Sequence, residues 1–404
     1  MRVGTFGFCG PRLKEARQAR GLSATDLADL LGVRPATVSL YESKAGKATP
    51  SPQVMDAICA RLNFPASYFV RSPAPIDDAG IFWRANSSAT RIAQQRAEVR
   101  LGWLKELMVF LRQSFDFKPP NFPAVHVPPD FRQITTDQIE DAARKCRLHW
   151  GLGVDPVSDV IGEMEGNGIV CGRIKVGAEN LDAFSQRASI DGTPYVLLSS
   201  DKESACRSRF DAAHELGHML LHQQVDQRGI NNTKDWRVLE DQAHRFASAF
   251  LLPAEAFSKE VWGASLDTFV AIKPKWRASV GAMIMRSRHL RLIDEDQEKR
   301  LWINRSRRGW QKAEPLDERL EYETPTLVSN SIRMLVDANV RKREQILAEI
   351  HLSAADAEEI SGVPFGYFRE RTPTARPTPK PGVFGPADEV PQSNVISLGQ
   401  FRRP

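Results

Sequence analysis

Apolar residues recur at helical spacing along most of this chain and form short continuous runs in one stretch only. Leu27, Ala28 and Leu31 share a helix face, and Gly32-Val33 follows as a tight turn. Ser23 is a good N-cap, with Asp26 three residues on able to bond back. Arg12 to Ala19 reads as a short helix closed by Gly21, Arg34-Pro35 opens a third helix, and Pro52 to Leu62 gives a fourth. Residues 81–116 predict a long helix with a Leu/Met/Val/Phe face. Thr136 to His149 and Pro156 to Glu165 predict two more. Then come strand-like runs at Gly168 to Cys171, around Ala183-Phe184, and at Pro194 to Leu198. Helical spacing returns at 210–221, at Trp236 to Leu252 with a stripe of Leu239, Ala243, Phe246, Ala247 and Phe250, and again over 325–370.

Turn and proline clusters divide this pattern into six segments. They are 1–72, 73–130 as linker and connecting helix, 131–260, a basic helical extension over 261–320, a small helical appendage over 321–371, and a Pro-rich tail over 372–404 expected to be disordered. A length of 404 residues suits two or three domains. The chain is 42% apolar and 26% charged, the balance of a soluble globular protein, and it holds no run of 18 apolar residues, so no membrane span is expected. The first twenty residues lack a signal-peptide pattern, and the five Cys (9, 59, 146, 171, 206) contain no C-x-x-C. These features predict a cytoplasmic protein with reduced thiols. The net charge of +5 permits nucleic-acid binding without requiring it.

The candidate chemistry lies in one helix pair. His214-Glu215-Leu216-Gly217-His218 puts two imidazoles at i and i+4 on one helix face, where both can hold one metal ion. Glu215 can take a proton from a water activated by that ion. A third ligand is needed, and Glu240 on the following helix is the choice. His244, four residues on, is a partner behind the ligands or the alternative ligand, and Asp241 is a weaker alternative. His222 continues the His214/His218 face, in a structural, substrate-side or ligating role.

The run RFDAAHELGHMLLH followed by LEDQAHRFASAFLLP resembles the ImmA/IrrE family of metallopeptidases. In that family's second helix an Asn stands where this chain has His244. The resemblance implies cleavage of a repressor of a mobile element or a damage response. WRASVGAMIMRSRHLRLI and RRGWQKAEP resemble the longer, repressor-fused members, so the likeness spans about residues 12 to 315. In zinc peptidases of this shape an edge strand beside the active helix binds the substrate main chain by strand addition, and Pro194, Tyr195, Val196 and Leu197 are the expected strand.

Residues 11–71 carry a second signal. SATDLADLLGVRPATVSLYESKAGK resembles the phage-repressor (XRE-type) helix-turn-helix domains, with Val38-Ser39 and Tyr41-Glu42 in register. The resemblance makes Arg34 to Glu42 the recognition helix. Arg34, Pro35, Ala36, Thr37, Ser39 and Leu40 would face the DNA, with Lys44 and Lys47 on phosphates. The same fold can instead pair with a similar repressor protein.

Phe82-Trp83-Arg84 reads as a packed hinge or a base-stacking cluster, and Lys273 to Lys312, rich in Lys and Arg with Trp interleaved, as a solvated helical face around a Trp core or a nucleic-acid-sensing surface. The expected fold is multidomain: an all-α helix-turn-helix domain, an α+β zincin-like metallopeptidase domain and a helical C-terminal region. The expected function is a Zn2+-dependent endopeptidase (another divalent metal would suit the same ligands) fused to a double-stranded-DNA-binding domain. It would cleave a repressor and regulate a mobile-element, stress or defence operon. A nucleic-acid activator and a homodimer are further expected partners. The competing reading is a DNA-binding regulator or antitoxin-like partner-binding protein that does not use its metal site for proteolysis.

Overall fold

A computed structural model describes residues 4–46, 48–73, 82–83, 91–177, 182–188, 191–201, 204–225, 230 and 233–369. The chain divides into two units, 1–368 and 369–404, and all the described helices and strands lie in the first. The tail expected to be disordered, Arg84 and Lys47 lie outside the described residues.

Four short helices open the chain: α1 (Gly10–Ala19), α2 (Ala24–Leu31), α3 (Pro35–Tyr41) and α4 (Pro52–Leu62). The Ser23/Asp26 capping box forms in both directions and starts α2. Gly32 ends it in the left-handed conformation that glycine adopts without penalty. The Arg17 guanidinium, on α1, forks onto both oxygens of Glu42 at 2.6 and 2.8 Å, which fixes the end of α3. Val38 is fully buried, so α3 turns its other face outward.

A two-residue strand β1 (Phe82–Trp83) precedes α5 (Arg91–Leu111), shorter than the 81–116 helix expected. Next come α6 (Thr136–His149), capped by Thr135 and Gln138, and α7 (Val160–Gly166), then β2 (Val170–Ile174), β3 (Ala183–Arg187) and β4 (Pro194–Ser199). The sheet order is β1-β3-β4-β2, with β2 and β4 parallel and the other pairs antiparallel.

This topology corrects one expectation. Pro194, Tyr195, Val196 and Leu197 belong to an interior strand, bonded to β3 on one side and β2 on the other. All four are buried, so β4 offers no free edge for strand addition. The edge position was expected from likeness to zinc peptidases, whereas the unbroken apolar run marks a strand covered on both faces. Tyr195 and Leu197 join a core with α5, while Val196 and Leu198 join a core with the helices that follow.

Those helices are α8 (Ala205–Leu221), α9 (Thr233–Leu251), α10 (Ala254–Glu260), α11 (Leu266–Trp276), α12 (Val280–His289) and α13 (Glu295–Arg307). The basic section lies here, and its cations are largely consumed internally. Lys273 is fully buried between Glu314 and Asp317, Arg286 is buried against Glu140, and Arg277, Arg288, Arg305 and Arg308 each meet a carboxylate. Trp276 is buried against Phe257. Arg291, Lys299, Arg300, Arg307 and Lys312 are exposed, so part of the section's charge faces solvent around the Trp core.

The chain then returns to its beginning. The last helices, α14 (Leu327–Asp337), α15 (Arg343–Ile350) and α16 (Ala354–Ser361), pack on α5 and share one hydrophobic core with α1 to α4. Arg20, just after α1, forks onto Asp356 of α16 at 2.6 and 2.7 Å, and Arg100 of α5 reaches Glu359. Among the described residues, no helix is long and apolar enough to cross a membrane.

Candidate active site

The site is built by two helices that touch closely. α8 carries His214, Glu215 and His218, and α9 carries Glu240 and His244. Gly217 lets them approach: a Cβ at this position would stand 3.1 to 3.2 Å from Phe246 of α9. The apolar stripe expected on α9 is the surface that meets α8, with Leu239, Ala243, Phe246 and Ala247 fully buried.

Three donor atoms converge. His214 Nε2 and His218 Nε2 are 3.0 Å apart, and the Glu240 carboxylate lies 3.5 Å from the first and 3.4 Å from the second. His244 is adjacent. Its Nδ1–H donates to the Glu240 carbonyl at 2.7 Å, and its ring stands edge-on to His214 with centroids 4.5 Å apart. Ligand atoms of His214, Glu240 and His244 also fall within 4.8 Å of one another. The two overlapping sets share His214 and Glu240, and the tighter triangle is the one completed by His218. Asp241 is exposed, facing away from this cluster.

His222 is held by other work. With His218 Nε2 turned to the cluster, His218 Nδ1–H donates to His222 Nδ1 at 2.9 Å. His222 Nε2–H donates to Gln242 Oε1 at 2.9 Å, and Gln242 Nε2 donates to the Phe131 carbonyl at 2.7 Å. Burial, with His218 close by, holds the His222 pKa down at about 3, so its ring is neutral and can accept as this chain requires. The relay locks the His218 tautomer and ring angle from behind. Gln242 and Phe131 carry no motif of their own. Only the helical spacing of Gln242 from Leu239 and Phe246 could have pointed to it.

Glu215 is 1% exposed and accepts from the Ser185 hydroxyl of β3 at 2.5 Å. Ser185 was not legible in the sequence, because a strand 30 residues upstream reaches Glu215 only through the fold.

The electrostatics suit a divalent cation. Burial drives the His214 pKa well below its ordinary value, so its ring is neutral and offers a lone pair. Burial alone would raise the Glu240 carboxyl, but the imidazoles of His214 and His218 beside it win and hold it below the ordinary carboxylate range. His214 Nδ1 is buried without a partner. Two buried nitrogen donors and an ionised, half-buried carboxylate, within 3.5 Å of one another, leave a negative charge for a cation to compensate.

Among the N-terminal helices, Arg34, Pro35, Ala36, Ser39, Leu40 and Lys44 are exposed and Thr37 is half-buried. Of the domain's basic residues, Arg12 and Arg17 are buried in ion pairs and Arg20 is engaged with Asp356. The cations left to the surface include Lys14, Arg34, Lys44 and Arg61.

Comparison with family models matches residues 164–288 to the IrrE N-terminal-like domain (Peptidase_M78) and residues 13–69 to a helix-turn-helix domain (HTH_3). No curated protein matches the chain. The chain thus joins a helix-turn-helix domain of the HTH_3 type to an IrrE N-terminal-like domain of the Peptidase_M78 type.

Proposed function

We propose that this protein is a metal-dependent endopeptidase whose helix-turn-helix domain binds double-stranded DNA, and that it acts in a cytoplasmic setting by cutting a transcriptional repressor. The observation that carries the peptidase reading is the triangle of buried His214 and His218 with half-buried Glu240, beside Glu215. These three residues would hold zinc, with His244 as the neighbour that braces Glu240 through its carbonyl. When bound, the ion polarises the scissile carbonyl and makes a water acidic enough to attack.

The protein's own groups do the rest. Ser185 anchors Glu215 Oε2, which aims the carboxylate, and Oε1 takes the proton from the attacking water. The same carboxyl then delivers that proton to the leaving amine. The His218–His222–Gln242 relay keeps His218 from turning as charge develops.

The test compares the native chain with Glu215→Gln for metal content and for cleavage of repressor-like proteins encoded beside it. One metal per chain in both, with cleavage by the native protein alone, is expected. Full activity in the variant refutes the general-base role. The DNA reading rests on the exposed face of α3 and is tested in the full chain by gel shift with duplex DNA from upstream of its own gene. Arg34→Glu should weaken retardation at low salt, and an unchanged shift removes α3 as the DNA contact.

A further inference from the structure

A cavity of about 280 Å³ opens beside the cluster, between α8, α9, α12 and α13. His244 sits at the junction: it lines this cavity, while its ring touches that of His214. One face of α9 runs from one site into the other, because Glu240, His244 and Ser248 follow each other at four-residue intervals. A side chain lodged here would therefore belong to a residue whose backbone passes the cluster.

The lining selects its chemistry. Phe210, Met285, Trp302 and Trp310 give it aromatic and apolar walls. Three charged groups of the lining are satisfied within the protein, Arg207 by Asp182, Arg305 by Glu314 and Asp317 by Lys273, and Lys312 lies exposed at the rim. The inner wall of the cavity thus favours an uncharged ligand. Two buried polar atoms of lining residues have no partner, the Ser248 hydroxyl and His289 Nδ1, and Ser248 is 3% exposed. Burial, reinforced by Arg245, holds His289 at about 4, so its ring is neutral and can accept a hydrogen bond. An unmade hydrogen bond in an apolar wall is a cost that a hydroxyl-bearing aromatic ring would relieve.

We infer that this cavity is the specificity pocket of the peptidase, receiving an aromatic substrate side chain next to the scissile bond, tyrosine before phenylalanine. The inference rests on the metallopeptidase reading above, and the test separates the two. Hydroxamates chelate an active-site metal whether or not the enzyme turns over. The zinc-loaded full chain is titrated by calorimetry with N-acetyl amino-acid hydroxamates bearing tyrosine, phenylalanine, leucine or alanine side chains. Tyrosine should bind about 30-fold more tightly than alanine, within the range that a filled pocket gives, with phenylalanine between them.

Ser248→Ala should bring tyrosine and phenylalanine together. Ala282→Phe, which fills the cavity, should collapse the aromatic preference over alanine, with zinc content as the check that each variant has folded. Equal affinity for all four compounds overturns the pocket and leaves the metal reading standing. Phenylalanine ahead of tyrosine overturns the hydroxyl argument. If none of the compounds binds, the metallopeptidase reading falls and the pocket with it.

Discussion

Replacing Gly217 with Ala tests whether helix contact and metal geometry are one property. The new Cβ would meet Phe246 Cδ1 at 3.1 Å and its Cβ and Cγ at 3.2 Å. Comfortable carbon contacts need about 3.5–4.0 Å, so α9 must recede by several tenths of an ångström. Overpacking of this kind costs about 1–3 kcal/mol. The displacement also reaches Glu240, less than two turns along the same helix as Phe246, while metal–ligand distances tolerate only about ±0.2 Å. We expect zinc affinity to fall roughly 10- to 100-fold, the scale seen when a ligand's support is lost. The assay is chelator competition for zinc, alongside urea unfolding of the metal-free protein. A metal-free form weakened by about 1–3 kcal/mol with unchanged zinc affinity would refute the coupling and show that α9 yields locally at Phe246.

Stripping zinc with a chelator should loosen the α8/α9 pair first, read as faster amide exchange in both helices; exchange that rises elsewhere but not there contradicts the placement of the ion. Arg17→Ala leaves Glu42 buried without its cation, with side chains that are each 10% exposed, and should cost about 3 kcal/mol and weaken DNA retardation. Retained stability by urea titration would show that the pair is dispensable. The Glu165 carboxyl caps α14 through Thr326 and Leu327, and burial pushes it up to about 7. The folded state then keeps a proton that the unfolded chain releases near its ordinary value of 4.5, so stability should fall as pH rises from about 4.5 to 7 and level off above. The contribution is roughly 3 kcal/mol. Glu165→Gln should remove that decline relative to the native protein; identical pH profiles would refute it.

How much of this was legible depends on the range over which each feature is encoded. His214 and His218 were legible as neighbours because helical spacing alone puts them on one face, whereas Glu240 was one choice among three on the next helix and only the packing of α9 on α8 brings it to them. The Ser23/Asp26 cap and the bounds of α4 and α6 were legible for the same reason, being local. The status of β4 was not, since an apolar run shows burial but not which strands flank it. Ser185, Gln242 and the aromatic cavity depend on segments brought together across the chain, and no spacing rule reaches that far. The roles of Arg12, Arg17 and Arg20 were not legible either, because their carboxylate partners Glu106, Glu42 and Asp356 lie far along the chain.

The meeting of α14 to α16 with α5 and the first four helices sets a timetable for synthesis. These segments share a core, yet the ribosome makes them at opposite ends of the described chain, with residues 63–326 between the first four helices and α14. At about 5–20 residues per second, the face of α5 that α14 to α16 will cover stays uncovered for roughly 10 to 50 seconds after it emerges. The middle of the chain, with its paired α8 and α9, is complete before that face is closed. A nascent chain therefore pairs α8 with α9 before its helix-turn-helix end is sealed, and a premature stop between α5 and α14 releases a protein whose α5 face is a target for chaperones.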